Sequence, residues 1–162
     1  MTQTTKVVKL PRGIRNNNPL NMEYHKRNNW HGQLPYNKII EPRFCRFSHM
    51  MWGYRAAACL LKKYINVYRL KTIEEIINLW APPGENQTNA YVDRVCEISH
   101  LSRNQVIDFN DQIAMLSLIG AMTVVECGNA FNPSKNADLW SAMYKGYVMA
   151  RENHTDFSKI DG

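Results

Sequence analysis

Residues 110–132 read NDQIAMLSLIGAMTVVECGNAFN, and the fold turns on them. Asn110-Asp111 is a polar cap. Apolar and small residues then run almost unbroken from Ile113 to Val125, before Glu126-Cys127-Gly128. About four turns fit between cap and glycine at 3.6 residues per turn. Nearly every face is apolar, which predicts a buried central helix over 111–127. Gly128 suits the left-handed conformation that closes helices. One carboxylate, Glu126, is thereby left at the C-terminal end of a greasy helix. The helix dipole is negative there, and Val124 and Val125 desolvate the group. Both effects favour the protonated form that a general acid near neutral pH requires. The alternative is a glutamate in an exposed last turn with no role.

Around this helix the sequence predicts others. Ser48 caps a helix to about Tyr68, with Ala56, Leu60, Leu61, Tyr64 and Ile65 facing inward. Thr72 and Glu75 form a capping box that opens a short helix ending at Trp80, where Pro82-Pro83-Gly84 stops it. Thr88 caps a helix through Tyr91, Val92 and Val95 to about Ser99. Ser102 caps a turn into the central helix. Asn136 caps a last helix, Ala137 to about Ala150. Residues 11–38 are rich in Pro, Gly and Asn and keep no period, so they read as ordered loop. Ile39 to Phe47 reads as one short extended segment, weakened by Pro42. The expected fold is mainly α, with helices around 111–127 and a small β or irregular lobe near 12–47. A flexible arm over 1–10, one domain over 11–150 and a polar tail over 151–162 complete the layout.

The chain has 162 residues, enough for one domain with a real core. Its net charge of +6 favours an anionic partner: nucleic acid, an acidic membrane surface, or cell wall with its acidic polymers. The basic residues are scattered and form no block of the kind that marks a nucleic-acid tail. Cys45, Cys59, Cys96 and Cys127 share no CxxC spacing and read as free, mostly buried thiols. The N-terminal MTQTTKVVKLPRG lacks the apolar core of a signal peptide, and the run 113–125 is too short to span a bilayer. A soluble protein made in a cytoplasm is expected, with no membrane insertion.

Three polar-aromatic clusters carry the candidate chemistry. The first is Arg12-Gly13-Ile14-Arg15-Asn16-Asn17-Asn18-Pro19-Leu20-Asn21, followed by Trp30-His31-Gly32. Asparagine tolerates unusual backbone angles, and its amide also binds sugar hydroxyls and acetamido groups. The same composition describes a turn-rich loop. The second runs from Trp80 through Glu85, Asn86 and Thr88 to Tyr91, and a capped helix entry with Tyr91 in the core explains it equally. The third is the Glu126 turn with Asn129 and Asn132. The histidines at 25, 31, 49, 100 and 154 form neither a triad nor an HExxH motif, so no metal and no cofactor is expected.

In their order these blocks resemble a tailed-phage and prophage family. The blocks are the Asn-rich run 12–21, Trp30-His31-Gly32, Phe44 with Phe47, Gly53-Tyr54-Arg55-Ala56, Trp80-Ala81-Pro82-Pro83 with Glu85, Asn86 and Thr88, and Tyr91-Val92. Members are often labelled virion structural proteins, and the family looks related to the lytic enzymes of phage particles. That resemblance covers about residues 11–150 and implies a lysozyme-like or lytic-transglycosylase-like α+β fold. The family usually has His before the glutamate of the third block and Asn after it; here Val125 and Cys127 stand there. Leu20 stands where the family often has Gly. In lytic transglycosylases the catalytic glutamate ends a buried helix, followed by Ser-Gly and then Asn, which Glu126-Cys127-Gly128 and Asn132 resemble. Glucosaminidase relatives place that helix first, whereas here it comes last. The order is that of a circularly permuted domain, which close-lying termini allow.

The resemblance implies cleavage of peptidoglycan glycan strands by a lytic transglycosylase or muramidase, acting from the virion or as a released lysin. Glu126 is the expected general acid and base, with Glu85, then Glu41, as a second carboxylate. Asn17, Asn18, Asn86, Thr88, Tyr91 and Asn132 are expected to hold acetamido groups, and Trp30 and Trp80 to stack on sugar faces. The partners are peptidoglycan and other virion proteins. A non-catalytic virion or assembly protein on the same fold is the second reading. A nucleic-acid binder, resting on charge alone, is the third.

Overall fold

The computed structural model describes residues 9–81 and 88–153. Among these residues six α-helices form: α1 Arg12–Arg15, α2 Met50–Asn66, α3 Ile73–Trp80, α4 Thr88–Ser99, α5 Gln112–Cys127 and α6 Ala137–Glu152. Single 3-10 turns, Asn129–Phe131 and Pro133–Lys135, join α5 to α6. The protein is mainly helical, as its periodicity predicts. No helix among the described residues is long and apolar enough to cross a membrane.

Local chemistry sets most of the ends. Asp111 Oδ1 accepts from the Ala114 amide at 3.1 Å and starts α5. Asn136 does the same for Leu139 and α6, also at 3.1 Å. Thr72 caps α3 through the Glu75 amide at 3.2 Å, and Glu75 reaches back to the Lys71 amide at 2.9 Å. Two expectations are corrected. The cap of α2 is His49, whose Nδ1 accepts from the Met51 amide at 3.0 Å, while the Ser48 amide is drawn into the lobe by the Gly32 carbonyl. Gly128 ends α5 at φ 101 and ψ 165, an extended positive-φ region open to glycine rather than the left-handed helical one.

The central position is shared. α5 packs most closely on α4, and α2 packs most closely on α6. Gly146 makes the second pairing possible: a Cβ there would stand 2.6 Å from Tyr54 Cβ and 2.7 Å from the Arg55 nitrogen. α2 is buried from Gly53 through Leu61, its Ala56-Ala57-Ala58 run lying flat in the core. Lys62 closes the far end of α6 by donating to the carbonyls of Ala150, Arg151 and Asn153 at 3.1, 3.1 and 2.8 Å. α5 is not enclosed all round. Ile113 is 81% exposed, and a groove of about 490 Å³ runs beside Leu116 and Gly120 toward Trp140 and Met143. α3 packs on α2 and α4.

Residues 16–48 form the irregular lobe, held by isolated bridges rather than a sheet. Its spine is the extended segment 43–48, which is shorter than the predicted 39–47: Ile39 and Ile40 lie instead in a turn closed by the Ile40 and Glu41 amides on the Asn37 carbonyl. On one side Cys45 N donates to Met22 O at 3.0 Å and Arg43 O accepts from Tyr24 N at 2.9 Å. On the other, Arg46 O accepts from Leu34 N at 2.8 Å and Ser48 N donates to Gly32 O at 2.9 Å. The helical turn α1 falls where the sequence predicts loop, because four residues are too few to show a period. Asn17 and Asn21, both at φ 51, take the left-handed conformation that asparagine tolerates.

Candidate active site

The C-terminal end of α5 meets the asparagine loop and α4 at one carboxylate. Glu126 is partly buried there. The Tyr91 hydroxyl, from the second turn of α4, donates to its Oε1 at 3.2 Å across 35 positions of sequence. The Asn21 amide donates to its Oε2 at 2.8 Å across 105. Close packing of α1 on α5 brings the loop here. A Cβ on Gly13 would lie 2.9 Å from both Cys127 Sγ and Asn18 O, so only glycine lets the turn sit against the helix end. Cys127 adds a second tie by donating its thiol to the Pro19 carbonyl at 3.3 Å.

Burial dominates the electrostatics. It raises the Glu126 pKa above that of an ordinary glutamate, against the opposing pull of the Asn21 and Tyr91 hydrogen bonds and the Arg43 charge. Burial also lifts the Tyr91 phenol well above its usual range, and the neighbouring Glu126 charge adds to the lift. Tyr91 therefore stays a hydroxyl donor. The Cys127 thiol is pushed up to about 12 by burial and then by Glu126, so it is a neutral donor and not a nucleophile. The cluster favours the protonated form of Glu126 more than water does, and its two donors stabilise the carboxylate left when that proton departs.

Of the predicted ligand residues, the structure brings Glu126 and Tyr91 into contact. Glu85 and Asn86 lie outside the described residues. Asn18 is wholly buried, its amide donating to the carbonyls of Met22 and Cys45 and accepting from the Met22 amide. Asn17 donates to the Phe47 carbonyl at 3.1 Å. Both asparagines shape the loop, and Asn18 has no surface to offer a sugar. Trp30 is only 7% exposed and packs in the lobe core, which rules out stacking on a ligand in this conformation. Trp80 is half-buried, edge-on to Tyr64 at 5.9 Å. Thr88 is buried, its hydroxyl donating to Ala81 O at 2.7 Å. Asn132 caps the turn 133–135 and lines the groove beside Trp140, which does not include Glu126.

Glu41 is engaged elsewhere. It accepts from Arg12 Nε and Nη2, from the Asn16 amide at 3.0 Å and from the Arg43 and Phe44 backbone amides, each at 2.8 Å. Burial alone would raise its pKa, but these donors overcome it and hold the group at about 2. Sequence reasoning missed Asn21 as a partner of Glu126. Asn21 closes the Asn-rich block, and its position after Pro19 was the available signal. Among the described residues no group of His, Cys, Asp and Glu is placed to hold a metal ion.

No family model matches the chain. It is 33% identical over 131 residues to Protein P5 of Pseudoalteromonas phage PM2, covering 80% of this chain and 78% of that protein. A phage origin agrees with the sequence blocks. Similarity of that extent, over most of both chains, places this protein in the phage family to which Protein P5 belongs.

Proposed function

We propose that the protein cleaves peptidoglycan glycan strands for a phage, with Glu126 as general acid and then base. One observation carries this reading. A partly buried glutamate with a raised pKa ends an apolar helix, and a tyrosine and an asparagine from distant elements both donate to it. Protonated Glu126 gives its proton to the glycosidic oxygen. Tyr91 and Asn21 then stabilise the carboxylate that forms. That carboxylate next takes a proton from the incoming oxygen nucleophile. The order of the parts fits a permuted lysozyme-like domain. Glu41 is held ionised by Arg12 and is unsuited to giving a proton, whereas burial moves Glu126 in the direction that a general acid needs. A single carboxylate suffices for transglycosylation, in which the substrate's 2-acetamido group assists and its 6-hydroxyl closes an anhydro ring. A hydrolase ordinarily needs a second carboxylate across the bond.

Incubation of the full chain with purified peptidoglycan, followed by mass analysis of the products, tests the reading. Anhydro-muramyl products are expected. Products with reducing ends would assign hydrolysis instead. A folded protein that releases no product would favour the second reading, a virion structural protein. The replacement of His and Asn by Val125 and Cys127, with the Cys127 thiol tied to Pro19, fits that reading.

A further inference from the structure

The turn at the far end of the lobe holds two isoleucines out in solvent. Ile39 is 88% exposed and Ile40 61%, beside Tyr36 at 45%. Single exposed apolar side chains are ordinary, but this turn is braced to present a group of them. The Asn37 carbonyl accepts from the amides of Ile40 at 3.1 Å and Glu41 at 2.9 Å, and its side-chain oxygen accepts from the Ile39 amide at 3.0 Å. Tyr36 stacks on Tyr24 with ring centroids 4.3 Å apart, and its hydroxyl donates to the Pro42 carbonyl at 3.1 Å. Glu41, fixed by five donors, anchors the base of the turn.

Beside the turn opens a bowl of about 580 Å³ with Ile40 in its wall and Arg15 and Arg46 in its lining. Among the described residues no carboxylate lines it. The two glutamates of the lobe are paired with other arginines, Glu41 with Arg12 and Glu23 with Arg43. Lys38 stands exposed on the turn itself. The surface thus joins positive charge, with no described carboxylate against it, to a projecting apolar tip.

We propose that this end of the lobe docks on an anionic lipid bilayer. A head-group phosphate enters the bowl between Arg15 and Arg46, while Tyr36, Ile39 and Ile40 enter the acyl boundary. An acidic glycan or peptide would match the arginines but leave the isoleucines in water. A neutral apolar partner would do the reverse. An anionic membrane surface supplies both chemistries at once, a phosphate for the arginines and acyl chains for the isoleucines.

Co-sedimentation of the full chain with vesicles tests the proposal. One set contains phosphatidylglycerol and phosphatidylcholine in equal parts, the other phosphatidylcholine alone. The expected result is binding to the anionic vesicles that weakens with added salt. The pair Ile39→Ser with Ile40→Ser should reduce it by about tenfold or more. Arg15→Ala with Arg46→Gln should remove the preference for anionic lipid. All four positions are at the surface or in the bowl, and circular dichroism of each variant checks its fold. Wild-type protein that ignores anionic vesicles at low salt would overturn the proposal, as would an isoleucine variant that binds like wild type. Binding to purified peptidoglycan, lost in the arginine variant and not competed by vesicles, would assign the bowl to wall carboxylates and overturn it too.

Discussion

Glu126 and Glu41 are both withdrawn from solvent, and the donors around them decide the opposite directions in which their pKa values move. Glu41 has five hydrogen bonds and stays ionised, with a pKa of about 2. Glu126 has two, and burial prevails. Tyr91→Phe removes one of those two and should raise the Glu126 pKa further. The proposed acid would then keep its proton to higher pH, and the alkaline limb of activity should move up. A carboxyl ¹³C titration of Glu126 reads the same shift without any assay, and a lowered pKa in that variant would contradict the assigned hydrogen bond. Glu41 has the opposite sign. Its pKa is depressed from 4.5, so its stabilisation is complete above that value and is lost as pH falls toward about 2. That loss should amount to about 3 kcal/mol. Glu41→Gln should unfold more easily at neutral pH, and its denaturant midpoint should change less than that of wild type over the acid range.

At the scale of elements, the tightest requirement is the crossing of α2 and α6. Gly146→Ala places a methyl against Tyr54 and the Arg55 backbone, so the helices must part. Thermal denaturation should show a loss of roughly 1–3 kcal/mol; an unchanged melting temperature would mean that the pair has slack the packing does not show. Helix starts were legible where a cap is local chemistry, as at Asp111, Thr72 and Asn136. The start of α2 was misplaced by one residue because Ser48 and His49 both carry acceptors. Which one caps depends on the lobe strand that pulls the Ser48 amide to Gly32, a long-range contact. The apolar run of α5 revealed a buried helix, yet its groove face and the equal burial of α2 depend on partners that no periodicity names.

Across the whole molecule, the site is assembled from three separated pieces: the asparagine loop, α4 and the end of α5. The end of α5 was legible because a lone glutamate after a long apolar run is unusual. The loop was legible as a place but not residue by residue. Asparagine serves backbone turns and ligand binding with the same amide, so nothing in the sequence separates Asn17 and Asn18, which bond the lobe backbone, from Asn21, which reaches Glu126. Trp30 was misread for a related reason, since an indole looks alike in a core and on a sugar-binding face. The relation to a phage protein fits a role in a phage, and the proposed chemistry rests on Glu126. The most direct test is the rate at which Glu126→Gln releases soluble fragments from purified peptidoglycan, measured beside wild type and with melting curves to check the fold. Glutamine keeps the shape and cannot carry the proton, so the rate should fall by about 10²-fold or more. A folded Glu126→Gln protein that works at the wild-type rate would contradict the account.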